Sequence, residues 1–365
     1  MTSNTKARKL YFGSGPAALP PEVLAEAAEA VIDYNGSGLS ILEIPHRGPQ
    51  FEAILEESKD LVKMLCGLGN EHEVLWLQGG GRLQFCMIPM NFLGAEAPAG
   101  YVDSGHWAHE AAKAAAYYGE TRVIASSRPE NYSRLPQFPH TAGEKLAYLH
   151  LTTNNTIYGT QWQHIPDTGA PLIADMSSDI LSRRLDYSRF AMFYACAQKN
   201  VGPAGVTLAV LNRDLLAQQQ RDLPPMLSYA AHAKHRSLLN TPPVYAVYVS
   251  LLMLRWTQQQ TLAALEAESN TKSAMLYEEL ERNRLFQPVV TVKDHRSRTN
   301  ITFRAVSEEV HRGFAAFCTA RDIEGIEGHR SVGGFRVSLY NAVPRSSVSR
   351  LIELMQEYEQ EISKL

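Results

Sequence analysis

The chain has 365 residues, of which 45% are hydrophobic and 20% charged, and its net charge is −3. That balance describes a globular protein long enough for two domains, and it excludes a disordered or collagen-like chain. A charge so near neutral gives no reason to expect nucleic-acid or membrane partners, and no apolar run reaches membrane-spanning length.

The four cysteines, Cys66, Cys86, Cys196 and Cys318, stand far apart without CxxC spacing. This predicts reduced, mostly buried thiols in a cytoplasmic protein. No stretch at the amino terminus has the charged-then-apolar order of a secretory signal.

In chain order, "YFGSGPAALPPEVLAEAAEAVID" predicts a Gly/Pro-rich lead-in and then an amphipathic helix from Pro21. "FEAILEESKDLVKMLCGL" predicts a second helix that closes at a glycine. "EVLWLQ" (73–78) is a strand, followed by a glycine run and a helix around Arg82–Leu93. "AGYVDSG" (99–105) and "RVIASS" (122–127) are strands on either side of the alanine-rich helix Ala108–Tyr117. Further strands fall in 145–155, 171–179, 189–198 and 206–211. Short apolar strands alternating with helices predict an α/β layered domain with a mostly parallel sheet, and a ligand at its carboxyl edge.

From "TPPVYAVYVSLL" to about residue 281 the pattern is long and helical. The last hundred residues alternate the strands "NITFRAV" and "GFRVSLY" with helices over Glu308–Arg321 and Ser346–Ser363. The predicted division is a large domain over 17–265 and a smaller α+β domain over 266–365, the latter joined by the segment 1–16.

Lys199 ends the apolar stretch "FYACAQK". Its local context fits two roles equally well. It is either a lysine snorkelling from a strand end or a Schiff-base lysine whose neutral amine attacks a carbonyl. Asp175 in "LIAD" ends another apolar strand. It is an N-cap or an ion-pair partner of Lys199, unless the two serve a pyridoxal phosphate (PLP) cofactor. Such a cofactor needs a lysine for its aldehyde and an acid at its pyridine nitrogen. The run "WLQGGGRLQF" (76–85) lacks both the GK[ST] ending and GxGxxG, yet amides at a helix start suit a phosphate. Trp107 stands at a strand-to-helix transition, as core or as a ring that stacks on a flat cofactor. "HWAHE" matches neither HExxH nor HxxEH, so His106 and His109 are taken as a helix start, His232 and His235 as a solvated turn, and no metal site is predicted. Arg47, Arg330 and Arg336 are surface arginines or bidentate partners of a carboxylate or phosphate.

Together, "GSGPAALP", "HRGPQF", "QGGGRLQF", "SGHWAHEA", "NNTIYGTQ", "IADMSSD", "AQKNVGPAG", "LLNTPPVY" and "GHRSVGGFRVSLYNA" closely resemble the phosphoserine aminotransferase family. These are fold-type-I PLP enzymes of aminotransferase class V, and the matching stretches run in order from residue 12 to residue 342. The resemblance implies that Lys199 and Asp175 are catalytic, with Lys199 bound to the cofactor and Asp175 at the pyridine nitrogen. It implies Trp107 stacked on the ring and Thr156 at the ring hydroxyl. Gly81, Arg82 and Gln198 would hold the cofactor phosphate, with Asn240 and Thr241 contributed by the other subunit of a homodimer. Arg336 would take the substrate α-carboxylate. His46, Arg47, Arg82, His329 and Arg330 would take the distal phosphate or γ-carboxylate. The implied reaction exchanges an amino group between glutamate and 3-phosphohydroxypyruvate in serine biosynthesis, and the family also makes 4-phosphohydroxythreonine for pyridoxine. An alanine–glyoxylate-type transaminase and a catalytically inactive PLP-fold protein are the alternatives. A cysteine desulfurase is disfavoured because Gln198, not a histidine, precedes Lys199. A nicotinamide dehydrogenase fails for want of GxGxxG.

Overall fold

The computed structural model describes residues 8–139 and 145–364. The first seven residues of the predicted segment 1–16 and the last residue of 266–365 lie outside them. The chain opens with strand β1 (Leu10–Tyr11) and helices α1 (Pro21–Ile32) and α2 (Pro49–Cys66). Then come β2 (His72–Leu77), α3 (Gly80–Phe92), β3 (Ala99–Asp103), α4 (His106–Ala115) and β4 (Thr121–Ser126). β5 (Tyr148–Thr152) leads into a short hairpin, β6 (Asn154–Asn155) and β7 (Thr160–Gln161), followed by β8 (Leu172–Asp175), β9 (Met192–Cys196) and β10 (Thr207–Asn212). Helices α5 (Arg213–Leu216), α6 (Tyr229–Lys234), α7 (Val244–Gln260) and α8 (Leu262–Arg282) follow.

Local chemistry accounts for several boundaries. Proline opens α2, where its missing N–H costs nothing, and Gly67 closes it at φ 64, in the left-handed region that glycine enters freely. Phe51, Ile54, Leu55, Leu61 and Val62 form the buried stripe between. α7 is buried over Ala246–Leu254 without interruption, so it lies inside the domain rather than on its surface. The backbone breaks between α7 and α8 at Thr261, whose side chain caps α8 by accepting from the Ala264 N–H at 3.3 Å.

The large sheet has strand order β2-β10-β9-β8-β5-β3-β4. Only β10 runs against its neighbours; the β9–β8, β8–β5, β5–β3 and β3–β4 pairs are parallel. Side chains alternate between two buried faces, Phe193 and Ala195 on one, Met192 and Tyr194 on the other, as in a sheet covered by helices on both sides. Because β10 alone is reversed, the carboxyl ends of β2, β3, β5, β8 and β9 share one edge.

The remaining chain builds a smaller antiparallel sheet from β11 (Phe286–Pro288), β12 (Asn300–Ala305) and, beyond α9 (Glu308–Thr319) and β13 (Ile323–Glu324), β14 (Phe335–Ser338). Helix α10 (Arg345–Ile362) ends the fold. Phe286, Phe303, Phe314 and Phe335 form the aromatic centre of this unit, the Phe286 and Phe314 rings 4.7 Å apart. β1 pairs with β13 in parallel, so the start of the chain is part of this second unit's hydrogen bonding.

Candidate active site

The shared carboxyl edge of the large sheet opens into a cavity of about 360 Å³. Lys199 enters it from the turn after β9, Asp175 from the last position of β8, and Trp107 from the first turn of α4. Gly79, Gly80 and Gly81 approach from the start of α3, Thr156 from the β6–β7 hairpin, and His329 and Arg336 from the smaller unit. Gly79 and Gly80 sit at φ 88 and 63, and a Cβ on Gly79 would come within 2.5 Å of the Leu83 side chain, so glycine is required at that turn.

Asp175 is 6% exposed, and its Oδ1 accepts the Ser177 N–H at 2.9 Å. No ion pair joins it to Lys199 among the described residues, so both groups remain free to act on a ligand. The Lys199 side chain is half-buried beside Gly15 and close to Tyr340, whose hydroxyl donates to the Ser14 carbonyl at 2.9 Å. Trp107 presents its ring to the cavity, with the Arg82 guanidinium 5.4 Å from the ring centroid and His106 packed edge-on at 4.9 Å. Burial lowers the pKa of Arg336; its Nη2 donates to Ser14 Oγ at 2.6 Å, while its enclosed Nε has no partner. His329 is also lowered, first by burial and then by the charges of Arg336, His106 and Arg330. The cavity mouth thus carries the guanidinium groups of Arg336 and Arg82, the latter 3.9 Å from the Glu110 carboxylate.

Of the residues singled out in the sequence, Gly81, Arg82, Trp107, Thr156, Asp175, Gln198, Lys199, His329 and Arg336 line this one cavity. His46 and Thr241 instead line a second cleft, formed by residues 42–46 and 241–246, and Arg47, Asn240 and Arg330 line neither. Asn240 donates to the Gln78 Oε1 at 3.0 Å, on the residue just before the glycine turn. His232 departs from the sequence expectation: it is 4% exposed on α6, its Nε2 bonded to the Met226 carbonyl, because the helix turns it inward. Ser14, Thr152, Ser177 and Cys196 were not singled out as site residues, yet they line the cavity. Ser14 and Ser177 lie within the stretches "GSGPAALP" and "DMSSD", so the signal was present but named no role.

The cavity fits PLP in its donor set. It has an amine for the aldehyde, a buried carboxylate for the ring nitrogen, a flat indole for the ring face and a helix start for the phosphate. The Gly81 amide donates to Cys196 Sγ at 3.0 Å, and both residues line the cavity. Two enclosed polar atoms at the cavity, Thr152 Oγ1 and Arg336 Nε, lack partners and so call for a polar ligand.

A mostly parallel sheet with this amine and carboxylate at its carboxyl edge defines a fold-type-I PLP enzyme. The Aminotransferase class-V family model matches residues 10–351, and the chain belongs to that family. It is a PLP-dependent aminotransferase. The phosphoserine aminotransferase of Flavobacterium johnsoniae is 45% identical over 360 residues, 97% of this chain and 100% of the relative. The phosphoserine aminotransferase structure from Bacillus circulans subsp. alkalophilus superposes with a TM-score of 0.94 at 42% identity, covering 98% of this chain and 99% of that one. A PLP-bound phosphoserine aminotransferase structure from Trichomonas vaginalis gives a TM-score of 0.88 at 31% identity, covering 96% and 100%.

Proposed function

We propose that this chain transfers an amino group between glutamate and 3-phosphohydroxypyruvate, giving O-phosphoserine and 2-oxoglutarate. The observation that carries this reading is the 45% identity, over 97% of the chain, to a relative named phosphoserine aminotransferase. The cationic mouth supports it. Arg336, Arg82 and His329 surround the entrance, and planar guanidinium groups suit both carboxylate and phosphate.

PLP, when bound, supplies an aldehyde and a ring that accepts an electron pair from the substrate's α-carbon. Lys199 would hold the cofactor's aldehyde, and its amine would move the proton at the substrate's α-carbon. Asp175, buried in the cavity wall, would keep a proton on the ring nitrogen. Trp107 would stack on the ring, and Thr156 would donate to the ring hydroxyl. The amides at the start of α3, with Gln198, hold the phosphate. Arg336 orients the α-carboxylate, its unpaired Nε offering a further donor beside the one already bound to Ser14.

The distal group is received by His46, Arg47 and Arg330 together with Arg82 and His329, and Asn240 and Thr241 complete the phosphate site from a second subunit. Their position outside one chain's cavity supports a homodimer with shared active sites. So do the exposed Leu39 and Leu42, 44% and 62% accessible beside His46 and Arg47. In the same reading the chain divides into 17–265 and 266–365, with 1–16 joining the second, and works in the cytoplasm. Among the described residues no helix is long and apolar enough to cross a membrane. The same pocket takes the phosphorylated precursor of 4-phosphohydroxythreonine as a second substrate.

A coupled assay comparing phosphohydroxypyruvate with its unphosphorylated analogue tests the substrate assignment. Preference for the phosphorylated acid is the expected result; equal kcat/KM for the two would refute it.

A further inference from the structure

We propose that Thr152 is a positioning residue of the cofactor site, its hydroxyl donating to the Asp175 carboxylate when PLP is bound. The inference rests on the reading of this cavity as the PLP site. Thr152 is the last residue of β5 and lies against the cavity, 2% exposed, with Oγ1 enclosed and without a hydrogen-bond partner. A buried hydroxyl left unpaired costs free energy, and a valine would fill the same strand position without that cost. The hydroxyl therefore needs a use.

The register supplies one. Thr152 and Asp175 are paired across the parallel β5–β8 ladder, so their side chains rise from the same face of the sheet. Asp175 Oδ1 is held by the Ser177 amide at 2.9 Å, while Oδ2 receives no hydrogen bond from the described residues. A threonine hydroxyl moves between staggered wells about a single bond. One such turn brings Oγ1 towards its in-register neighbour. With both oxygens held in the bound state, the carboxylate is fixed against rotation while it faces the ring nitrogen, and a restraint of that kind strengthens binding.

The neighbouring threonine provides a contrast. Thr153 points to the other face, where its hydroxyl is used by the Asp175 carbonyl at 3.2 Å and by the Asp179 carboxylate. Thr207 and Thr299 also have buried, unpaired hydroxyls, but neither lines the cavity. Thr152 alone of the three is aimed where a ligand binds.

The test titrates PLP into the apo forms of the full-length wild type, Thr152→Val, Thr152→Ala and Thr152→Ser, with Tm measured for each. Losing one hydrogen bond to a charged group predicts a PLP Kd about tenfold weaker for Thr152→Val, while Thr152→Ser binds as wild type. The apo Tm of Thr152→Val should equal or exceed the wild-type value, because the unpaired hydroxyl is gone, whereas its rise on adding PLP should shrink. A wild-type Kd in Thr152→Val, or a Thr152→Ser protein as weak as Thr152→Val, overturns the proposal. If Thr152→Val fails to fold, Thr152→Ala decides on the same terms. A wild-type apoprotein that does not bind PLP at all would instead refute the cofactor reading beneath it.

Discussion

The cavity at the sheet's carboxyl edge and the cleft formed by residues 42–46 and 241–246 carry parts of one proposed site, but they differ in how they are built. The cavity gathers its groups from β5, β8, β9, α3, α4 and the smaller unit, all in one chain, and buries them. The cleft is open and largely apolar, with Pro45, Pro242 and Pro243 beside His46 and Thr241. Groups that make and break bonds need fixed positions and little water, which strand ends under packed helices provide. Groups that only collect a distant anion can be delivered on turns by another chain.

The largest expected effects fall inside the cavity. Lys199→Ala should abolish transamination and leave no covalent adduct after borohydride reduction, read by mass spectrometry; normal turnover would break the assignment. Asp175→Ala should still form that adduct but lose most of kcat, since its help is felt where the ring accepts charge. An unchanged kcat would make Asp175 structural only.

Arg336→Lys should cost about 1.5–3 kcal/mol in kcat/KM for every amino-acid substrate, because all carry the α-carboxylate. Arg47→Ala, next in sequence to the cleft's His46, should weaken phosphoserine and glutamate but spare alanine. If alanine suffered equally, Arg47 would have no role at the distal group.

A mixed dimer sharpens the comparison further. One subunit carries Lys199→Ala and the other Arg47→Ala, isolated through different affinity tags. If Arg47 serves the neighbouring site, one of the two sites is intact and phosphoserine turnover returns to about half the wild-type rate. If Arg47 serves its own subunit, activity stays at the level of the parents.

The smallest effect concerns His329. Burial and the nearby Arg336, His106 and Arg330 lower its pKa, which favours the neutral ring in the free protein. A bound γ-carboxylate favours the protonated ring, so binding takes up a proton and is helped by acid. The KM for glutamate should fall severalfold as pH drops from about 7.5 to about 6, and His329→Asn should flatten that slope. A slope that survives in His329→Asn would place the titrating group elsewhere.

Much of this arrangement was legible in the chain. Apolar runs ending in a lone polar group, "LIAD" and "FYACAQK", marked strand ends, and the glycine run marked the start of α3. The direction of β10 was not legible. Nothing in "GVTLAVL" distinguishes the reversed β10 from its parallel neighbours, because side-chain alternation is the same both ways. The pairing of β1 with β13 escaped too, since two-residue strands carry no periodicity and their partners lie over 300 positions apart. His232 was misjudged because its polarity suggested solvent, whereas a single carbonyl contact suffices to bury it. Thr152 was invisible for the same kind of reason, while Ser177 lay in a recognised stretch without a role. Which hydroxyls face a cavity depends on register, and register is a property of the partner strand.

The pairing of β1 with β13 also sets a practical constraint. Phe12 is bonded on both sides to the smaller unit, its N–H to the Glu324 carbonyl and its carbonyl to the Ser338 N–H, while Ala17 five residues later bonds the Gln198 carbonyl next to Lys199. Ser14, between these two anchors, holds Arg336. Residues 12–17 thus act as a strap buckled at both ends across the mouth of the cavity. A fusion or truncation that loosens this strap would release the substrate-binding arginine and unpair the catalytic turn in a single event, so amino-terminal engineering of this chain is active-site engineering.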